Sequence, residues 1–165
     1  RAECFKEAGG LDEDFFAHME EIDICWRFKQ LGYKVMYCGN STVYHVGGGS
    51  LDKSSPKKTY LNIRNNNTML YKNLPANQLY TVFVTRFFLD LMAAIKFLID
   101  GGVRHFGAVV RAHLGFYFSL KKNRLKRKSI RQRNVSQIYF GNVVVAHFFK
   151  GVKHFKTLKP EKFSD

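Results

Sequence analysis

Two periods of hydrophobic and polar positions alternate in the first part of this chain, and one dominates the rest. Residues 1–8 read as a short helix stopped by Gly9-Gly10, and LDEDFF, residues 11–16, as an acidic loop. Residues 20–31 have helical spacing and close at Gly32. KVMYC (34–38) and TVYHV (42–46) carry the β-branched and aromatic residues of strands, and GNS (39–41) is a turn between them. GGGSLDKSSPKK (47–58) is a loop, and residues 59–74 return to a helical pattern that Pro75 ends. Beyond Pro75 every periodic stretch is helical: 77–99 and 103–120, broken at Gly101-Gly102, and an apolar-aromatic stretch over 135–155. The pattern predicts an α/β head over 1–75 followed by an amphipathic, mainly α-helical tail over 76–165. The longest apolar region, 79–99, is interrupted by Arg86, Asp90 and Lys96, which suits an amphipathic helix better than a membrane span.

Charge sharpens the division. Residues 1–52 hold nine acids and five bases, whereas residues 53–165 hold 22 bases and four acids. Eight of those bases crowd into KKNRLKRKSIRQR, residues 121–133. Such a body seeks an anionic partner: lipid headgroups, nucleic acid or a phosphorylated substrate. Hydrophobic content of 45% excludes a disordered chain. Cys4, Cys25 and Cys38 match no zinc or redox spacing and fit a reducing compartment. The chain opens in mid-pattern without Met or a signal peptide, which reads as a fragment lacking its N-terminal part.

Candidate chemistry concentrates in MEEIDICWR, residues 19–27. At 100° per residue, Glu20, Asp23, Arg27 and Gln30 share a polar helix face, while Glu21 falls beside Ile24, Cys25 and Phe28. Acids at a helix start complement its dipole, and that ordinary role stands beside a catalytic one. His45, at the end of the second predicted strand, precedes Gly47-Gly48-Gly49, where the backbone could approach a ligand closely; an ordinary strand-end histidine is the alternative.

In order along the chain, GGLDEDFF, then the acidic pair before DICWR, then the stretch ending in YHVGGG resemble the C-terminal part of the catalytic domain of family 2 glycosyltransferases, most closely bacterial rhamnosyltransferase-like enzymes. The tight resemblance covers residues 9–50, and RNNNTMLYKNLP (64–75) continues it more loosely. It implies a GT-A fold, Rossmann-like, with residues 1–75 as the C-terminal part of the catalytic domain. It implies inverting transfer from a nucleotide-diphosphate sugar to a saccharide or lipid-linked acceptor hydroxyl, in cell-surface polysaccharide synthesis. A carboxylate takes the acceptor proton, and a divalent metal, Mg or Mn, neutralises the departing diphosphate. The family's acidic pair is Glu-Asp with the second acid as base. That assigns the role to Glu21, a departure by one methylene, with Glu20 and Asp23 in reserve. His45 matches a histidine that helps hold the metal or contacts the diphosphate. The metal's main Asp-x-Asp motif would lie upstream, and the Asp-x-Asp lettering of DEDFF belongs to a different motif. Trp26 borders the acceptor or packs in the core; Asp12 and Asp14 shape the loop or touch the acceptor. Gly47, Gly48, Lys57 and Lys58 belong to a basic loop that closes over phosphates or merely connects. Asp23 and Arg27 are spaced for an i,i+4 ion pair.

The tail implies an anionic membrane surface at the inner face of the bacterial cytoplasmic membrane, or else a bundle covering the catalytic domain or forming a homo-oligomer. Nucleic acid is disfavoured, because no aromatic stacking positions alternate with the charges. The competing reading of the whole chain is a basic peripheral membrane- or nucleic-acid-binding helical module without catalysis.

Overall fold

A computed structural model describes residues 1–44 and 54–164. Seven helices order the described chain: α1 Ala2–Glu7, α2 Glu20–Gln30, α3 Pro56–Asn73, α4 Ala76–Ile99, α5 Val103–Phe118, α6 Leu120–Ser129 and α7 Val143–Lys150. Their ends follow local chemistry. After α1, Gly9 and Gly10 take φ of 79° and 67°, and their amides donate to Lys6 O and Phe5 O, both at 2.9 Å. These bonds close the helix in a Schellman motif that a side chain would strain. At the start of α3, Ser55 Oγ accepts from the Lys57 amide at 3.3 Å and Pro56 fills the first turn. Its end falls at Leu74, extended ahead of Pro75.

The expected α/β head is not seen. Among the described residues there is no strand or sheet; the only β pairing is an isolated bridge between Tyr139 and Phe163. Residues 34–38 and 42–44 are irregular, and the rest of the second expected strand lies outside the described residues. The physical reason is the lack of a buried face. Met36, Tyr37, Val43 and Tyr44 are 80–96% exposed, so the pattern that favours strands has no layer to pack on and no ladder to join. The fold is all-helical.

Residues 1–133 form one compact unit and residues 134–165 another. The boundary expected near Pro75 falls inside the first unit, between α3 and α4. There α3 is the central helix, packed mainly on α5 and also touching α2, α4 and α6. Small residues let the helices close: Ala94 and Ala112 meet Ile63 and Val109, with Tyr60, Phe97 and Phe106 around them. A Cβ on Gly115 would sit 2.7 Å from Tyr60 Oη, so glycine leaves room on α5 for the end of the Tyr60 side chain. Phe83 stacks on Phe116 with ring centres 5.4 Å apart, and Tyr71 meets both edge-on, tying α3, α4 and α5 together. Between α4 and α5, buried Asp90 accepts from Arg86 at 2.5 Å and contacts His113 Nε2 at 3.1 Å.

The second unit carries α7 and two short 3-10 turns, Phe155–Thr157 and Pro160–Lys162. The Asn142 side chain caps α7 by accepting from the Val145 amide at 3.1 Å. Ser164 Oγ donates to Val135 O and accepts from the Ile138 amide, both at 2.8 Å.

Candidate functional site

The polar face of α2 points inward. Asp23, Arg27 and Gln30 are buried, and Asp23 is fully so. A buried carboxylate needs opposite charge and complete hydrogen bonding, and α3 supplies both. Asp23 Oδ2 accepts from Arg27 Nε at 3.0 Å and Lys72 Nζ at 3.1 Å, and Asp23 Oδ1 accepts from Asn73 Nδ2 at 2.7 Å. The i,i+4 pair of Asp23 and Arg27 therefore forms, as an interior contact (Nη2 to Oδ2, 2.9 Å). Arg27 also donates to the carbonyls of Ala8 and Gly10, the latter at 2.7 Å, fixing the turn that follows α1. Gln30 donates to Asn73 O at 2.9 Å.

The loop between α1 and α2 is held from α3 as well. Asn65, fully buried, donates to the carbonyls of Phe15, Ala17 and His18 at 2.9, 2.7 and 2.8 Å. Arg64 donates to Asp14 O at 2.7 Å. This clamp holds an unusual backbone: Phe16, His18 and Met19 have φ of 60°, 69° and 75°. Left-handed conformations of non-glycine residues persist only where the surroundings over-determine them.

Asp12 and Asp14 meet three lysines. Asp12 accepts from Lys72 at 2.5 Å and from Lys126; Asp14 accepts from Lys122 at 2.6 Å and Lys126 at 2.5 Å. Burial pushes the Asp12 carboxyl up, but hydrogen bonds from Lys126 and Lys72 outweigh it and hold the group at about 2. For Asp14 the same contest, with Lys122 and Lys126 as donors, ends below the usual carboxylate range. Burial lowers Lys126, yet its bonds to Asp12 and Asp14 leave it above the ordinary lysine value. Together these groups wall an open pocket of about 640 Å³, with Gly9, Gly10 and Arg27 on its rim. Carboxylate acceptors and ammonium donors side by side suit a polyhydroxyl ligand far better than a hydrocarbon.

The other candidates lie elsewhere. Glu21 is exposed in the first turn of α2, and Glu20 is half-buried, with Oε2 buried and unpartnered. Trp26 is half-buried, and its indole N–H has no hydrogen-bond partner. Neither glutamate nor Trp26 lines the Asp12 pocket. Lys57 is exposed, with Nζ 4.8 Å from the centre of the Phe16 ring, and Lys58 is half-buried. His45, Gly47 and Gly48 lie outside the described residues.

A divalent ion does not fit at Asp12 and Asp14, since ammonium groups already engage their oxygens and a second cation would face three lysines. Among the described residues no group of three His, Cys, Asp or Glu side chains is placed to hold a metal.

Sequence reasoning missed Asn65, Lys72, Lys122 and Lys126. Lys72 lies 60 residues from Asp12 and Lys126 lies 114, so no local spacing links them. The only signal was indirect: an acidic first segment and a basic later one within one chain. Comparison with family models, curated proteins and solved structures finds no match to this chain.

Proposed function

We propose that this chain serves an inverting glycosyltransferase that moves a sugar from a nucleotide-diphosphate donor to a saccharide or lipid-linked acceptor hydroxyl in cell-surface polysaccharide synthesis, peripherally at the inner face of the cytoplasmic membrane. One observation carries the reading. GGLDEDFF and residues of DICWR and RNNNTMLYKNLP, stretches that resemble family 2 glycosyltransferases, converge on one polar pocket through Asp12, Arg27 and Lys72. The convergence supports a saccharide site, because neighbouring sugar hydroxyls need donors and acceptors in alternation.

In this reading Asp23 is a positioning residue. Its oxygens are engaged by Arg27, Lys72 and Asn73, and it holds α2 against α3. The base is Glu21 by its match to the family's acidic pair; it stands outside the Asp12 pocket, in the first turn of α2, and its exposed carboxylate accepts the acceptor's hydroxyl proton. The acceptor oxygen bonds to the sugar C1 as the bond from C1 to the phosphate oxygen breaks, and the electron pair leaves with the nucleoside diphosphate. Glu20 is the reserve base.

The test is sugar transfer by the full-length gene product across a panel of nucleotide-sugars and lipid-linked acceptors. Glu21→Gln lowers turnover about 100-fold or more while donor binding is kept. Loss with Glu20→Gln alone moves the role to Glu20. No transfer from any donor overturns the enzymatic reading.

A further inference from the structure

The basic run of α6 is two surfaces on one helix. On one side Lys122, at the surface, and Lys126, partly buried, donate to Asp14 and Asp12, and Arg127 donates to the Tyr71 carbonyl. Lys121, Arg124 and Lys128 are exposed on the other side, with Leu125 64% exposed among them. This outer side continues that of α5. Across the junction the helical ladder persists, from the Ser119 amide to Gly115 O at 3.2 Å and from the Asn123 amide to Ser119 O at 2.9 Å. Along α5 the exposed positions are Val103, Arg104, Val110, Arg111, Leu114, Tyr117 and Phe118, the last 86% exposed. From Arg111 a spacing of three or four residues runs through Leu114 and Phe118 into Lys121, Arg124 or Leu125, and Lys128, with Arg104 two turns before Arg111, giving a single stripe.

The stripe mixes hydrocarbon with charge of one sign only, and no acid occurs between Gly101 and Arg133. Two hollows open along it. One of about 540 Å³ is lined by Pro56, Arg104, Phe106, Gly107, Val110 and Arg111. The other, about 640 Å³, lies between Lys57, Tyr60, Arg111, Leu114 and Phe118. Apolar hollows bordered by cations match the headgroup boundary of an anionic bilayer, where phosphates meet Arg and Lys and side chains such as Leu114 and Phe118 enter the acyl region. A protein partner would have to be apolar and acidic over the same length, and a nucleic acid would leave Val110, Leu114 and Leu125 without partners.

We infer that the outer stripe of α5 and α6 docks this protein on an anionic lipid bilayer. The inference rests on the membrane-peripheral part of the proposed function and not on the transfer chemistry. Docked this way, α6 lies between the bilayer and the acidic loop of the pocket, its outer bases on lipid and its inner lysines on Asp12 and Asp14.

The test is co-sedimentation of the full chain with phosphatidylcholine vesicles, with and without phosphatidylglycerol, at low salt. Binding should require the anionic lipid. Lys121→Gln, Arg124→Gln and Lys128→Gln together should weaken partitioning about 100-fold, since each base near an anionic surface contributes a several-fold gain. An equal charge change at Lys150, Lys153 and Lys156 should weaken it far less, and Leu114→Ser with Phe118→Ser should weaken it with the charge unchanged. Helical circular dichroism checks that each variant folds. No binding by the unaltered chain overturns the membrane-peripheral reading together with the stripe. Equal losses from the two charge triples overturn the stripe alone. Retained vesicle binding with loss of single-stranded oligonucleotide binding in the stripe triple makes the occupant nucleic acid and overturns the proposal.

Discussion

The α2–α3 contact and the α4–α5 hairpin are built in opposite senses. Where α2 meets α3, the interior is ionic: Asp23, Arg27 and Lys72 are all buried. Along α4 the outside is hydrocarbon, with Phe87, Phe88 and Met92 each more than half exposed while Asp90 is buried beneath them. No described helix is long and apolar enough to cross a membrane. Inward charge demands particular partners, because each buried ion left alone costs far more than a lost surface contact. Outward hydrocarbon demands none within the chain. The first region therefore depends on individual residues for its stability, while the second can change its outer residues without changing its fold.

The sharpest way to break the comparison is Asp23→Ala. It leaves Arg27 buried without its carboxylate and Lys72 with Asp12 alone, and should cost about 3–5 kcal/mol in urea unfolding. If the cost is under about 1 kcal/mol, the ionic interior is not what holds α2 to α3. Next comes Asn65→Ala, which deprives three loop carbonyls of their donor. An expected loss of about 3 kcal/mol, with new proteolytic cleavage near Phe16 to Met19, tests the clamp. A smaller effect is acid sensitivity. Asp12 is held at about 2 against an ordinary 3.8, so its contribution is present above 3.8 and is lost as pH falls through about 2. Asp12→Asn should flatten the fall of stability over that window in pH-dependent unfolding. The smallest effect belongs to the outer face of α4: Met92→Ser should change stability by less than about 0.5 kcal/mol, since little of the side chain is removed from water.

Helix ends were legible because their causes are local. Gly9-Gly10, Gly32, Pro75 and Gly101-Gly102 close or break helices by backbone freedom or a missing amide, and each does so in the fold. The i,i+4 pairing of Asp23 and Arg27 was legible for the same reason. Residues 34–38 and 42–44 misled, because strand propensity registers only the fit to a pleated, half-buried surface. Tyr37 and Tyr44 have no such surface, being 93% and 96% exposed. The polar face of α2 was read correctly as a face but not as the buried one.

By itself the sequence determined where α1 to α4 end and α5 begins, how charge divides along the chain and which acids stand at the start of α2, since these are properties of neighbours within a turn; the helix expected over 135–155 forms only at Val143–Lys150, and α6 was not foreseen. Tertiary structure alone decided that Asp12 faces Lys126, that Asn65 fastens the loop before α2, and that three bases of α6, Lys122, Lys126 and Arg127, are tied to Asp14, Asp12 and the Tyr71 carbonyl. Such pairings join residues tens of positions apart. No local period encodes them, and the packing of α3 against its neighbours selects them by the charge and hydrogen bonding each buried group needs.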